Sequence, residues 1–182
     1  MINAFVPDVR SPFVSDLFSA KGVRALGHLG AGGLAIFTGA LQFSTKLRFG
    51  SPHVHRLLGR VYVIAVLISG TSAGLLAPRS AGGITAHFGF GLLAILWVAS
   101  TILAWRSARG GDYVSHRGWM LRSYALCLAA VTLRLYLPLS AIAGIPFEEA
   151  YPAIAWLCWV PNLVVAEWLA LPGSVGPLEP TA

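Results

Sequence analysis

The chain has 182 residues, of which 56% are hydrophobic and only 11% are charged. A soluble domain of this length carries about 25% charged residues, so a water-soluble globular fold is excluded, and no long polar stretch remains for a second domain. The formal net charge of +6 does not point to nucleic acid, because the basic residues gather in short loops between apolar runs, as membrane topology requires.

Residues 1–21 form an amino-terminal arm. It has no basic leader, short apolar core and small-residue cleavage site in succession, so a removed signal peptide is not expected. Phe13, Val14, Leu17 and Phe18 recur at helical spacing behind Ser11-Pro12, which predicts a short helix lying in the membrane interface. Five apolar runs follow, over residues 22–44, 57–77, 83–105, 119–140 and 152–171. Each is roughly 20 residues long, enough to cross a bilayer. The prediction is an all-α integral membrane domain of five transmembrane helices over residues 22–171, with a tail at 172–182.

The loop after the first run holds Lys46, Arg48, Arg56 and Arg60, and the loop after the third holds Arg106, Arg109, Arg117 and Arg122. The opposite side is poorer, with Arg10, Lys21, Arg24 and Arg79. The positive-inside rule then places the amino terminus outside and the carboxyl terminus in the cytoplasm.

The first and third runs share a phrase. Residues 28–36 read HLGAGGLAI and residues 87–95 read HFGFGLLAI, identical at six of nine positions. The second and fourth runs each open on His-Arg, at His55-Arg56 and His116-Arg117, followed by Arg60 and Tyr62 or Arg122 and Tyr124. The offsets are 59 residues for the first histidine pair and 61 for the second. Two spans return the chain to its starting side, so this reads as a two-helix unit duplicated in parallel, giving a four-helix core with the fifth span outside it.

At about 1.5 Å of rise per residue, His28 and His87 sit at matching depth near one face, and His55 and His116 sit together at the other. Alternate helices of an up-down bundle face one another through its core. Two opposed imidazoles at one level suit haem iron, so the pairs His28/His87 and His55/His116 are candidate axial ligands of two b-type haems. Gly32, Gly59 and Gly91 each follow a candidate ligand by four residues, on the same helix face, and would leave room for a porphyrin; His116 has Met120 there. The plainer alternative is that each histidine bonds a neighbouring helix, and that the glycines are packing positions like Gly27, Ala31, Ala35 and Gly39. His53 has no counterpart in the repeat and reads as a loop residue.

Arg134 lies inside the fourth span, where an arginine must be paired or reach the interface. Its candidate partners are a haem propionate and Glu148 or Glu149. Arg60 and Arg122 are placed for propionates at the other face, or for snorkelling to lipid phosphate. In the last span, Pro161 leaves a carbonyl without its helical donor, which Asn162 is placed to satisfy unless it bonds a neighbouring helix instead. Glu167 is expected to pair with Arg122 or Arg60, with a quinol site as the alternative. Cys127 and Cys158 fall in apolar spans as core residues.

HRLLGRVYV, HRGWMLRSYAL, AAVTLRLYLP and AWLCWVPNLVVAE resemble a bacterial family of predicted inner-membrane proteins of unknown function, domain of unknown function 2306. The likeness runs from His28 to Glu167. It implies a multi-span protein of the bacterial inner membrane and supplies no activity. The arrangement of four spans with two cross-helix histidine pairs is similar to the cytochrome b561 class, which implies a membrane oxidoreductase passing electrons between two haems, with a small reductant or a quinol as donor. Five spans rather than six, and outer loops without an evident ascorbate site, depart from that class. Two further readings stand beside it: a cofactor-free accessory or assembly subunit, and a small-molecule transporter.

Overall fold

The computed structural model describes residues 20–170, with side chains from Gly22 onward. The interfacial helix expected around Phe13–Phe18 and the tail 172–182 lie outside the described residues. Those residues form helices α1 (Ala20–Gln42), α2 (Thr45–Gly50), α3 (Pro52–Leu76), a 3-10 turn (Ala77–Arg79), α4 (Gly83–Arg109), α5 (Tyr113–Cys127), α6 (Ala129–Ile142), α7 (Phe147–Leu157) and α8 (Val160–Ala170), with no strand among them.

Four stretches are long and apolar enough to cross a membrane: Pro52–Arg79, Gly83–Arg109, Tyr113–Ile142 and Phe147–Ala170. They contain the runs expected at 57–77, 83–105 and 119–140, and the last covers 152–170. Helix α1, expected as a span over 22–44, is not among the four. Its length suffices, but Arg24, His28, Gln42 and six glycines dilute its apolarity.

The helices begin earlier than the apolar runs because of their start signals. Pro52 opens α3, where its missing N–H costs nothing, which draws His55 into the first turn. Asp112 caps α5 by accepting from the backbone N–H of Ser115 at 3.0 Å, which does the same for His116. At the α3–α4 turn Gly82 and Gly83 take φ of 85° and 65°, left-handed values that favour glycine.

Neighbours run antiparallel. Helix α1 packs along α3, α3 on α4, α4 on α5, and α5 on α8, while α7 lies beside the start of α4. We call the end at which α1 begins the near end; it carries residues 77–82 and 143–146. The far end carries residues 43–51 and 110–112. The middle is sealed by Tyr62, Val66, Trp97, Leu126, Cys127 and Cys158, all buried, and both cysteines are free.

Two of the membrane-length stretches are interrupted. At Leu128, between α5 and α6, one carbonyl accepts from the backbone N–H of Val131 (2.9 Å) and Thr132 (3.0 Å) and from the Thr132 hydroxyl (3.2 Å), which tightens the turn. Between α7 and α8, Pro161 has no N–H for the Leu157 carbonyl, and Trp159 turns back to the Trp156 carbonyl at 3.2 Å. The Asn162 amide joins the two interruptions, donating to the Cys158 carbonyl and the Thr132 hydroxyl at 3.0 Å each, with the Ala125 carbonyl at 3.3 Å.

Candidate functional site

A cavity of about 1240 Å³ lies in the near-end half of the bundle, walled by α1, α3, α4, the end of α5, α6 and α7. This exceeds the roughly 300–1,000 Å³ of an ordinary small-molecule site. His28, Gly32, Gly33, Trp97 and Tyr151 stand in its wall, and Arg79 and Arg134 are its only charged members among the described residues.

His28 reaches the wall from the third turn of α1. Its Nδ1 lies 3.2 Å from the Ser69 carbonyl and 3.1 Å from the Ser69 hydroxyl, and that hydroxyl donates to the His28 carbonyl at 2.9 Å. A carbonyl only accepts, so Nδ1 carries the proton and Nε2 keeps its lone pair. An imidazole anchored through one ring N–H to a backbone carbonyl is the arrangement that orients metal-ligating histidines. His87 is held differently. Its Nε2 donates to the Ser80 carbonyl at 3.0 Å, and it stands outside the cavity wall. The structure thus brings His28 to the cavity and ties its expected partner to the α3–α4 turn.

At the far end, His116 Nδ1 donates to the Ala104 carbonyl at 2.8 Å, leaving its Nε2 free as in His28. His55 lies within electrostatic reach of His116, Arg48 and Arg56. The Nδ1 of His55 and the Nε of Arg48 are buried without a hydrogen-bond partner among the described residues, a costly condition for groups that ordinarily find one. His53 is exposed at the start of α3.

The glycines divide. A Cβ on Gly32 would meet the Ser69 hydroxyl at 3.0 Å, so Gly32 admits α3, whereas Gly33 faces the cavity with nothing within 4 Å. Gly59 is covered by Gln42, whose Oε1 a Cβ would meet at 3.2 Å and whose amide donates to the His55 carbonyl at 3.4 Å. Gly91 has open space beside it but lies outside the cavity wall. Met120 is buried in the core.

The arginines divide too. Arg122 takes Glu167 with two hydrogen bonds of 2.6 Å and lies 4.8 Å over the Trp119 ring, a forked pairing that commits its guanidinium. Arg60 is exposed. Arg134 donates at 2.7 Å to the Ala130 carbonyl of its own helix and forms no ion pair with Glu148 or Glu149. Gly33, Arg79, Ser69 and Gln42 were not singled out by sequence. The Gly32-Gly33 doublet was the one available signal, since the other three become functional only through contacts distant in sequence.

Long apolar helices, an interior sealed in the middle and a cavity at one end define a polytopic helical membrane protein. A family model described as "Predicted membrane protein (DUF2306)" matches residues 25–170, and the chain belongs to that family. No curated protein and no solved structure matches it.

Proposed function

We propose that the chain carries electrons across a bacterial inner membrane by way of two b-type haems, one toward each end of the bundle, with a quinol or small reductant as donor. The observation that carries this reading is His28, which stands in the wall of a large apolar cavity with Nδ1 committed to Ser69 and Nε2 free. In support, His116 repeats that tautomer at the far end, beside a His55 nitrogen that has no partner. His87 fits less well, because serving as a second ligand would require it to leave the Ser80 carbonyl. Helix α1 would then count as a fifth span, and the two histidine-bearing hairpins as a duplicated unit. The amino terminus would lie outside and the carboxyl terminus in the cytoplasm.

Haem, when bound, supplies a one-electron iron couple. The chain supplies position and insulation: the Ser69 and Ala104 carbonyls fix the two imidazoles, and the packed middle around Tyr62, Trp97 and Leu126 keeps water from joining the ends.

A transporter is the second reading. It is favoured by the two interrupted helices beside the cavity, since broken helices frame substrate sites in many carriers. A dithionite-reduced minus oxidised spectrum with a pyridine haemochrome count, on protein from haem-supplemented cells, tests the proposal. About two b haems per chain are expected on the axial-ligand logic. Absence of haem would sink it and leave the transporter and the cofactor-free accessory subunit.

A further inference from the structure

Arg134 lies within the membrane-length stretch Tyr113–Ile142, where an unpaired cation is expensive and is kept for a partner. Its one hydrogen bond goes to its own helix. Arg79 likewise donates only to the Leu75 carbonyl of the turn before it, at 3.2 Å. Both stand in the wall of the near-end cavity, and no aspartate or glutamate shares that wall. The rest of the lining is mostly apolar: Leu29, Phe90, Leu93 and Trp97 are among it. Both arginines are exposed and meet no acidic side chain among the described residues, so an apolar wall edged by these two guanidinium groups is complementary to an apolar molecule that carries acid groups.

The route in is also visible. Helix α1 packs on α3 and α5, and α6 packs on α7 and α5, with no close packing between α1 and α6. Leu26 and Leu29 of α1 and Val131 of α6 belong to the cavity wall and are exposed at 46%, 55% and 41%. Among the described residues, the cavity is therefore open sideways, along a helix face that lipid would cover.

We infer that the near-end cavity receives, laterally from the bilayer, an apolar molecule bearing carboxylate groups, and that Arg79 and Arg134 bind its acid end. A porphyrin and a fatty acid share this chemistry. The inference uses the cavity of the haem reading but not its iron ligation, so the two can fail separately.

The test titrates the detergent-purified full chain with metal-free protoporphyrin IX, its dimethyl ester and cis-parinaric acid, followed by fluorescence, with haem loading read in parallel by absorption. The expected result is that at least one of the two acids binds and that the ester binds at least about tenfold more weakly than protoporphyrin where the porphyrin is the ligand. Arg79→Gln and Arg134→Gln should each weaken acid binding by about tenfold, the scale of one lost charge-assisted contact. Arg24→Gln, at the same end but outside the wall, should leave binding unchanged. Arginine-dependent binding of parinaric acid alone, with no haem spectrum, keeps the inference, assigns a lipid acid and sinks the haem reading. Equal binding of acid and ester porphyrin, indifference to both arginine substitutions, or binding of neither acid overturns it.

Discussion

The ring of His28 and the backbone of Ser69 meet across α1 and α3, with Nδ1 3.2 Å from the carbonyl. The contact fixes the tautomer through a group that no side-chain substitution removes. Ser69→Ala should therefore lose the hydroxyl's bond to the His28 carbonyl and its contact with Nδ1 but keep the carbonyl that holds the ring, lowering stability by about 1 kcal/mol and, on the haem reading proposed above, leaving haem content unchanged. On that same reading, His28→Ala should abolish the near-end haem and spare the other. Haemochrome counts beside thermal unfolding in detergent check both, and a Ser69→Ala protein without haem would mean that the hydroxyl, not the carbonyl, does the positioning.

Gly39 is the point on which Tyr62 and Tyr124 close. A Cβ there would lie 2.6 Å from a Tyr124 ring carbon and 2.7 Å from one of Tyr62. Gly39→Ala is expected to destabilise by about 1–3 kcal/mol, the scale of overpacking. Gly30→Ala, with nothing within 4 Å, should cost nothing. Comparable unfolding midpoints for the two variants would contradict the packing argument.

Tyr62, Ser123 and Thr101 form a buried hydroxyl chain, with oxygens 2.7 and 2.6 Å apart, and Thr101 continues to the Trp97 carbonyl at 2.8 Å. Ser123→Ala strands the Tyr62 hydroxyl, whereas Tyr62→Phe leaves Ser123 its bond to Thr101. An orphaned buried hydroxyl costs about 1–3 kcal/mol, so Ser123→Ala should be the more damaging of the two despite removing fewer atoms. The opposite order in unfolding experiments would show that ring packing outweighs the bond.

Arg122 and Glu167 tie α5 to α8 through two short bonds. Their side chains are 26% and 51% exposed, and where that exposure is to water rather than to lipid the pair is screened and its coupling small. A double-mutant cycle with Arg122→Gln and Glu167→Gln should return about 0.2–1 kcal/mol. A coupling of several kcal/mol would place the pair in a drier setting than its exposure indicates.

Asp112 caps α5 in the loop between α4 and α5, and its hydrogen bonds from Ser115 hold its carboxyl below the ordinary value of 3.8. A carboxyl depressed by folding stabilises the folded chain above its unfolded value, and the contribution disappears as pH falls through the folded one. Hydrogen exchange at the start of α5 should therefore accelerate below pH 3.8. Asp112→Asn, which can cap without titrating, should remove that acceleration; its persistence in the Asn variant would assign it to another group.

The sequence carried the fold further than the site. Apolar length alone located the four membrane-length stretches, because a bilayer sets a minimum run that local composition reveals. It expected α1 as a fifth span on length, whereas its glycines and polar residues leave it outside the four membrane-length stretches, and it missed the interruption at Leu128, where the Thr132 hydroxyl bonds the Leu128 carbonyl. Pro161 did mark the second interruption, but Asn162 reaches the Cys158 carbonyl rather than that of Leu157, and its other bonds go to Thr132 and Ala125 of neighbouring helices. The pairing of Glu167 with Arg122 was one of two choices open in the sequence, and packing of α5 on α8 decided it. Where each imidazole and glycine points was not legible. Gln42 over Gly59 and Ser69 against Gly32 are contacts between α1 and α3, and spacing within one helix cannot reveal what a second helix puts there.

Helix α1 also bears on how the protein is made. It is not among the four membrane-length stretches, yet two of its polar groups are answered along α3: His28 at Ser69, and Gln42 at the carbonyl of His55. A helix whose polar side chains would be unsatisfied in lipid gains by meeting its partner before it meets the lipid. The consequence to expect is that α1 and α3 enter the bilayer together as one hairpin rather than α1 alone.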